Sequence, residues 1–187
     1  MKTKTVIFLL FISTFLNAQK NKESSQYLNK KNEIKINLIN LIDSKFIDIS
    51  YEYLINEKSS IGIETLFNFN SRNKDITKLY NLTKFSLTPY YRRYFSKKYA
   101  RGFFIEGFSV LKSYENYSFN ENEHHPYMYI IRDKLEFSLG LSIGAKFVIK
   151  ERFVADIFLG VGKNFISYND YYFKDIGRGG ISLGYRF

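Results

Sequence analysis

Residues 134–150 read KLEFSLGLSIGAKFVIK. Leu135, Phe137, Leu139, Leu141, Ile143, Ala145, Phe147 and Ile149 stand at every second place. Lys134, Glu136, Ser138, Gly140, Ser142, Gly144 and Lys146 stand between them. A period of two sustained over such a run is a β-strand with one apolar and one polar face; a helix stripe has period 3.6.

The same period recurs along the chain from Glu33 onward. In 33–42, Ile34, Ile36 and Leu38 oppose Glu33, Lys35 and Asn37. In 45–53, Ile47, Ile49, Tyr51 and Tyr53 oppose Phe46, Asp48, Ser50 and Glu52. Residues 61–69 set Ile61, Ile63, Phe67 and Phe69 against Gly62, Glu64 and Asn68. Residues 84–92 set Phe85, Leu87, Pro89 and Tyr91 against Lys84, Ser86, Thr88 and Arg92. Residues 101–111 are ambiguous, since Phe103, Phe104 and Phe108 spread bulk over both faces. Residues 152–164 place Ala155, Ile157, Leu159 and Val161 opposite Asp156, Gly160 and Gly162, and 180–187 form the last run. Eight strands are predicted, each about the 9–11 residues that cross a bilayer when tilted.

Composition agrees with an all-β chain. Of 187 residues, 19% are aromatic, all of them Tyr or Phe, with two prolines and no Trp; such enrichment favours strands. The absence of Cys excludes disulfides and a thiol-anchored lipoprotein. Net charge is +10, a value that nucleic-acid binders share. Here the bases are scattered rather than stacked beside aromatics on one face, so solvated loops and turns account for them and no nucleic-acid partner is expected.

The first residues, MKTKTVIFLLFISTFLNAQ, carry Lys2 and Lys4, an apolar run from Val6 to Leu16, and the small Ala18. That is the three-part pattern of a secretory signal peptide over 1–18. The apolar run falls short of the ~20 residues a membrane-spanning helix needs. Residues 19–32 read as a polar, flexible lead-in, and 33–187 as the folded domain.

Alternation alone fits a soluble sheet as well as a membrane barrel. Connection length separates them. The joins at 56–60, 96–100 and 150–152 are short; those at 70–82, 112–132 and 164–177 are longer, as in barrels with tight periplasmic turns and extended outer loops. The first outer join, near 40–44, is a short exception. Aromatics gather at strand ends: Tyr51, Tyr53, Tyr91, Phe95, Phe153 and Tyr185 toward the short turns, and Tyr114, Tyr117, Tyr129, Phe165 and Tyr168 toward the long loops. Two interfacial belts produce this arrangement.

The chain closes on ISLGYRF, residues 181–187. Ile181, Leu183, Tyr185 and the terminal Phe187 match the C-terminal signature of bacterial outer-membrane β-barrels position by position, and this segment resembles the signal read there by the barrel-assembly machinery. The remainder of 33–187 looks like the eight-stranded OmpA-like and OmpX-like barrels. Residues 31–64, KNEIKINLINLIDSKFIDISYEYLINEKSSIGIE, are similar to an uncharacterised Bacteroidota barrel family. The resemblance implies an eight-stranded antiparallel up-and-down transmembrane β-barrel in the outer membrane, in contact with its lipid, monomeric, with no peptidoglycan-binding module after it. It implies no activity.

Candidate sites are few. Glu52, Glu64, Arg92, Glu106, Glu136, Lys146, Asp156 and Arg186 fall on the polar face. In a barrel of eight strands that face fills the interior, so these residues are expected to pair as an internal charge network rather than to line an open pore. Buried charges must be paired or neutralised. Glu121 to His125, ENEHH, gathers both histidines with two carboxylates, but adjacent histidines diverge on an extended chain and no metal is expected. A lipid-modifying enzyme needs a base within reach of a nucleophile; these histidines have no flanking motif, and neither enzyme activity nor a cofactor is expected. GVGKN at 160–164 lacks the first Gly and the final Ser or Thr of a phosphate loop. The glycosylation-like NLT (81–83) and NYS (116–118) carry no weight in a bacterial export product. The leading expectation is a structural or surface-interaction role, with the long loops facing an unknown partner. The alternatives are a soluble lipocalin-like periplasmic barrel holding an apolar ligand, or a lipid-modifying membrane enzyme.

Overall fold

The computed structural model describes residues 30–43, 46–68, 83–119, 129–166 and 175–187. Their strands are β1 (Asn32–Asn37), β2 (Phe46–Asn56), β3 (Ser59–Asn68), β4 (Thr83–Tyr94), β5 (Gly102–Phe119), β6 (Tyr129–Ile149), β7 (Phe153–Ile166) and β8 (Asp175–Arg186). Each pairs antiparallel with the next, and β1 pairs with β8, closing an up-and-down barrel. The eight-stranded fold read from the alternation is the fold of the chain.

Strand lengths differ from the expectation at three places. Alternation in 33–42 predicts a strand through Leu38, but the chain turns there into the short helix α1 (Leu38–Asp43). Asn37 makes the turn, its Oδ1 accepting from the Ile39 amide at 3.2 Å, a side-chain-to-backbone bond that competes with the ladder. Conversely, the expected loops 112–132 and 164–177 give up residues to strands. The β5–β6 register runs without a break from Gly102↔Lys146 to Phe119↔Tyr129, and β7–β8 pairing reaches Lys163↔Asp175. Backbone pairing asks nothing of side-chain polarity, so a ladder outlasts its apolar pattern.

The short joins are tight. Two residues separate β2 from β3. The β6–β7 turn places both Lys150 (φ 49°) and Glu151 (φ 61°) in the left-handed region, with Arg152 N bonding Ile149 O at 3.2 Å. This is the type I′ geometry that matches strand twist in hairpins.

Side chains alternate in and out around the wall. Leu139, Leu141, Ile143, Ile157, Leu159 and Val161 point out and are exposed, Val161 to 71%. Glu52, Arg92, Lys146 and Asp156 point in and are buried to 2% or less. The ambiguous stretch resolves the same way: Phe103 lies outside at 76% exposure, while Phe104 and Phe108 are buried inside. Inward rings seat over glycines of the adjoining strand, which alone leave room for them. Phe104 lies opposite Gly144, where a Cβ would stand 2.5 Å from its Cζ, and Tyr90 covers Gly62.

Candidate functional site

The barrel interior holds the chemistry of the molecule. Every second residue of an antiparallel wall points inward, and a wall of eight strands brings those side chains within reach of one another. Five acids (Glu33, Glu52, Glu64, Glu106, Asp156) and five bases (Lys35, Arg92, Lys146, Arg178, Arg186) form one connected, charge-balanced set.

Contacts run from the short-turn end upward. Arg186 Nη2 lies 2.6 Å from Glu33 and donates to Ala100 O at 3.0 Å. Lys146 Nζ bridges Glu33 at 2.6 Å and Glu52 at 2.7 Å. Glu52 is the hub. It also meets Lys35, and Arg92 at 3.1 Å, and accepts from Ser60 (2.5 Å), Tyr94 (2.6 Å) and Tyr90 (3.2 Å) hydroxyls. Lys35 reaches Asp156 at 2.7 Å. Arg92 spreads over Glu106 and Asp156, both at 2.5 Å. Above it Arg178 joins Glu106 to Glu64, the latter at 2.6 Å. Aromatic faces fill the spaces between: the Arg92 guanidinium lies 4.3 Å from the Phe104 ring centroid and 4.7 Å from that of Tyr90, within cation–π range.

Of the eight interior charges expected from sequence, the structure joins Glu52, Glu64, Arg92, Glu106, Lys146, Asp156 and Arg186 in this set. Glu136 stands apart, higher up, paired with the partly exposed Lys112 at 2.9 Å. Glu33, Lys35 and Arg178 complete the set without having been among the expected members. Asp48 also points inward, with Oδ2 accepting from Asn37 (3.0 Å) and Asn40 (2.6 Å). Glu33 and Lys35 lie on the polar face that the alternation marks in β1, and Asp48 on that of β2 beside Glu52, which is the signal that finds them. Arg178 sits among Gly177, Gly179 and Gly180, a composition that reads as a turn. The alternation Arg178, Gly180, Ser182, Gly184, Arg186 is its signal.

The remaining candidates fall as follows. Residues 121–125 lie outside the described residues. GVGKN lies inside β7, an extended strand rather than a turn opening a helix, with Gly160 against Ser142 of β6. At the closing strand Ile181, Leu183 and Phe187 are exposed on the outer face and Tyr185 is half-buried. Phe187 and Asn32 exchange backbone bonds of 2.8 and 3.0 Å, sealing β8 to β1. Tyr51, Tyr53, Tyr91, Phe95 and Phe153 are exposed in a band above the short turns, joined by Phe103. At the other end Phe165 is exposed; the side chains of Tyr114, Tyr117, Tyr129 and Tyr168 lie outside the described ones.

Comparison with known proteins agrees with this architecture. The N-terminal β-barrel domain of Pseudomonas aeruginosa OprF is similar in structure, with a TM-score of 0.51 and 12% identity, covering 85% of this chain and all of that one. At that identity the likeness speaks for the fold. A search of curated proteins finds no match. A family model matches residues 5–182, and the chain belongs to that family, described as a protein of unknown function, DUF3575.

Proposed function

We propose that this protein is an integral outer-membrane β-barrel without an open pore or enzymatic activity. Its role is structural, or it presents the outer connections of β3–β4, β5–β6 and β7–β8 to a surface partner. Residues 1–18 direct export, the barrel-assembly machinery inserts the mature chain, and the barrel works as a monomer in outer-membrane lipid.

One observation carries the reading: the polarity of the wall is inverted. Leu141, Ile143, Leu159 and Val161 are 64–71% exposed on the outside, while ten balanced charges are packed within. Exposed apolar area on this scale has no place in water and is satisfied by lipid. The same inversion disfavours a lipocalin-like binder, whose apolar ligand requires an apolar interior. A pore is disfavoured because the ion pairs span the lumen: Lys146 of β6 meets Glu52 of β2, and Arg92 of β4 meets Asp156 of β7.

Two measurements test it together. Refolded into phosphatidylcholine vesicles, the unboiled protein is expected to migrate differently from the boiled protein on an SDS gel. In planar bilayers it is expected to give no steady conductance. A mature protein recovered only from the soluble periplasm sinks the membrane reading, and regular channel steps sink the closed interior.

A further inference from the structure

The chain's positive charge is not spread evenly over the folded barrel. Lys58, Arg93, Lys97, Lys150 and Arg152 are exposed at the short-turn end. Half-buried Lys30, Lys31, Lys98 and Arg101 lie in the same rim. Backbone bonds tie these segments together there: Leu54 N to Lys31 O (2.7 Å), Tyr94 N to Lys58 O (2.8 Å), Ala100 N to Glu57 O (2.7 Å) and Arg186 N to Arg152 O (2.6 Å). Among the described residues, nine bases thus face two acids there, Glu57 and Glu151. Separate in sequence, these bases become a ring only when the barrel closes.

The ring adjoins the aromatic band. Arg152 Nη1 donates to the Tyr185 hydroxyl at 2.9 Å. Arg93 Nη1 donates to Ser59 Oγ at 2.9 Å, which also accepts from Tyr91 at 3.0 Å. Exposed Tyr and Phe mark headgroup depth in a bilayer, so Arg152, bonded to Tyr185 of the band, and Arg93, sharing Ser59 with exposed Tyr91, sit near the depth of lipid phosphates. Outward residues immediately above the band are apolar, which places this charge at a membrane surface rather than in open solvent.

We infer that the short-turn rim is a binding collar for anionic phospholipid headgroups, recognised by their phosphates and negative charge in the periplasmic leaflet. The inference rests on the membrane-barrel reading. Juxtamembrane Lys and Arg are attracted to anionic lipid surfaces, and the attraction weakens with ionic strength.

Native mass spectrometry of the full mature chain in detergent, titrated with phosphatidylglycerol or phosphatidylethanolamine, tests the collar. Phosphatidylglycerol is expected to be retained about tenfold more strongly or better, and K58Q/K97Q/K150Q/R152Q to lose most of that preference. The matched pair K97Q/K150Q is expected to weaken it, whereas K84Q/K163Q, with the same charge change elsewhere on the barrel, leaves it intact. All variants are checked for the heat-dependent gel shift; should the fourfold variant not fold, the matched pairs decide. Equal retention of the two lipids overturns the collar, as does equal loss in the two matched pairs. Displacement of the lipid by millimolar inorganic phosphate overturns the lipid as ligand. Absence of a gel shift in every lipid would instead reject the membrane barrel itself.

Discussion

Glu52 shows how far one buried carboxylate organises this interior. It faces Lys35, Arg92 and Lys146 and accepts from three hydroxyls, all at essentially zero exposure. Removing one member of a buried charged set leaves the others uncompensated, which costs about 3–5 kcal/mol. Glu52→Gln is therefore expected to lower the unfolding free energy in detergent by about that amount. Glu136→Gln, whose partner Lys112 is 32% exposed, is expected to cost under about 1 kcal/mol, because solvent screens the pair. Urea titration followed by tryptophan-free probes, such as far-ultraviolet dichroism, compares them; equal costs for the two variants would refute the hub.

At the scale of the element, the β6–β7 hairpin carries a local conflict. Its type I′ turn needs two positive φ angles, and it supplies them with Lys150 and Glu151, residues that bear a Cβ penalty of about 1 kcal/mol each there. Replacing the pair by Asn-Gly is expected to stabilise the barrel by about 1–2 kcal/mol, read as a higher urea midpoint at unchanged slope. An unchanged or lower midpoint counts against the assignment of strain to this turn. The same element shows what was legible in sequence. Alternation named the faces of β6 and β7 because polarity changes at every step. It could not name partners, because register depends on turns and neighbours rather than on local pattern. So Lys146, Asp156 and Arg92 were readable as inward charges, but their meeting was not. Inward aromatics were unreadable for a related reason: Phe104 fits inside only because Gly144 stands across from it, a fact of register. α1 is not legible in the sequence because Leu38, Leu41 and Ile42 continue an apolar composition while Asn37 turns the backbone away.

Closure is a property of the whole barrel, and it rests on its shortest strand. β1 pairs with β8 only from Glu33↔Arg186 to Asn37↔Ser182, whereas β5 and β6 pair from Gly102↔Lys146 to Phe119↔Tyr129. Charges reinforce the short seam from within: Glu33 of β1 binds Arg186 of β8, and Lys35 of β1 crosses to Asp156 of β7. Phe187 adds two backbone bonds to Asn32 at the seam's lower end. Deleting Phe187 removes those bonds, each worth about 0.5–1.5 kcal/mol net, and leaves the charge set whole. Refolding into detergent is therefore expected to succeed, with stability lowered by about 1–3 kcal/mol. Insertion in cells is expected to fall much further, because the terminal aromatic belongs to the segment that resembles an assembly signal. Comparing membrane-inserted yield in cells with refolded yield in vitro separates the two roles. A truncated chain that inserts normally in cells, while losing stability in vitro, assigns Phe187 to closing the barrel and not to its assembly.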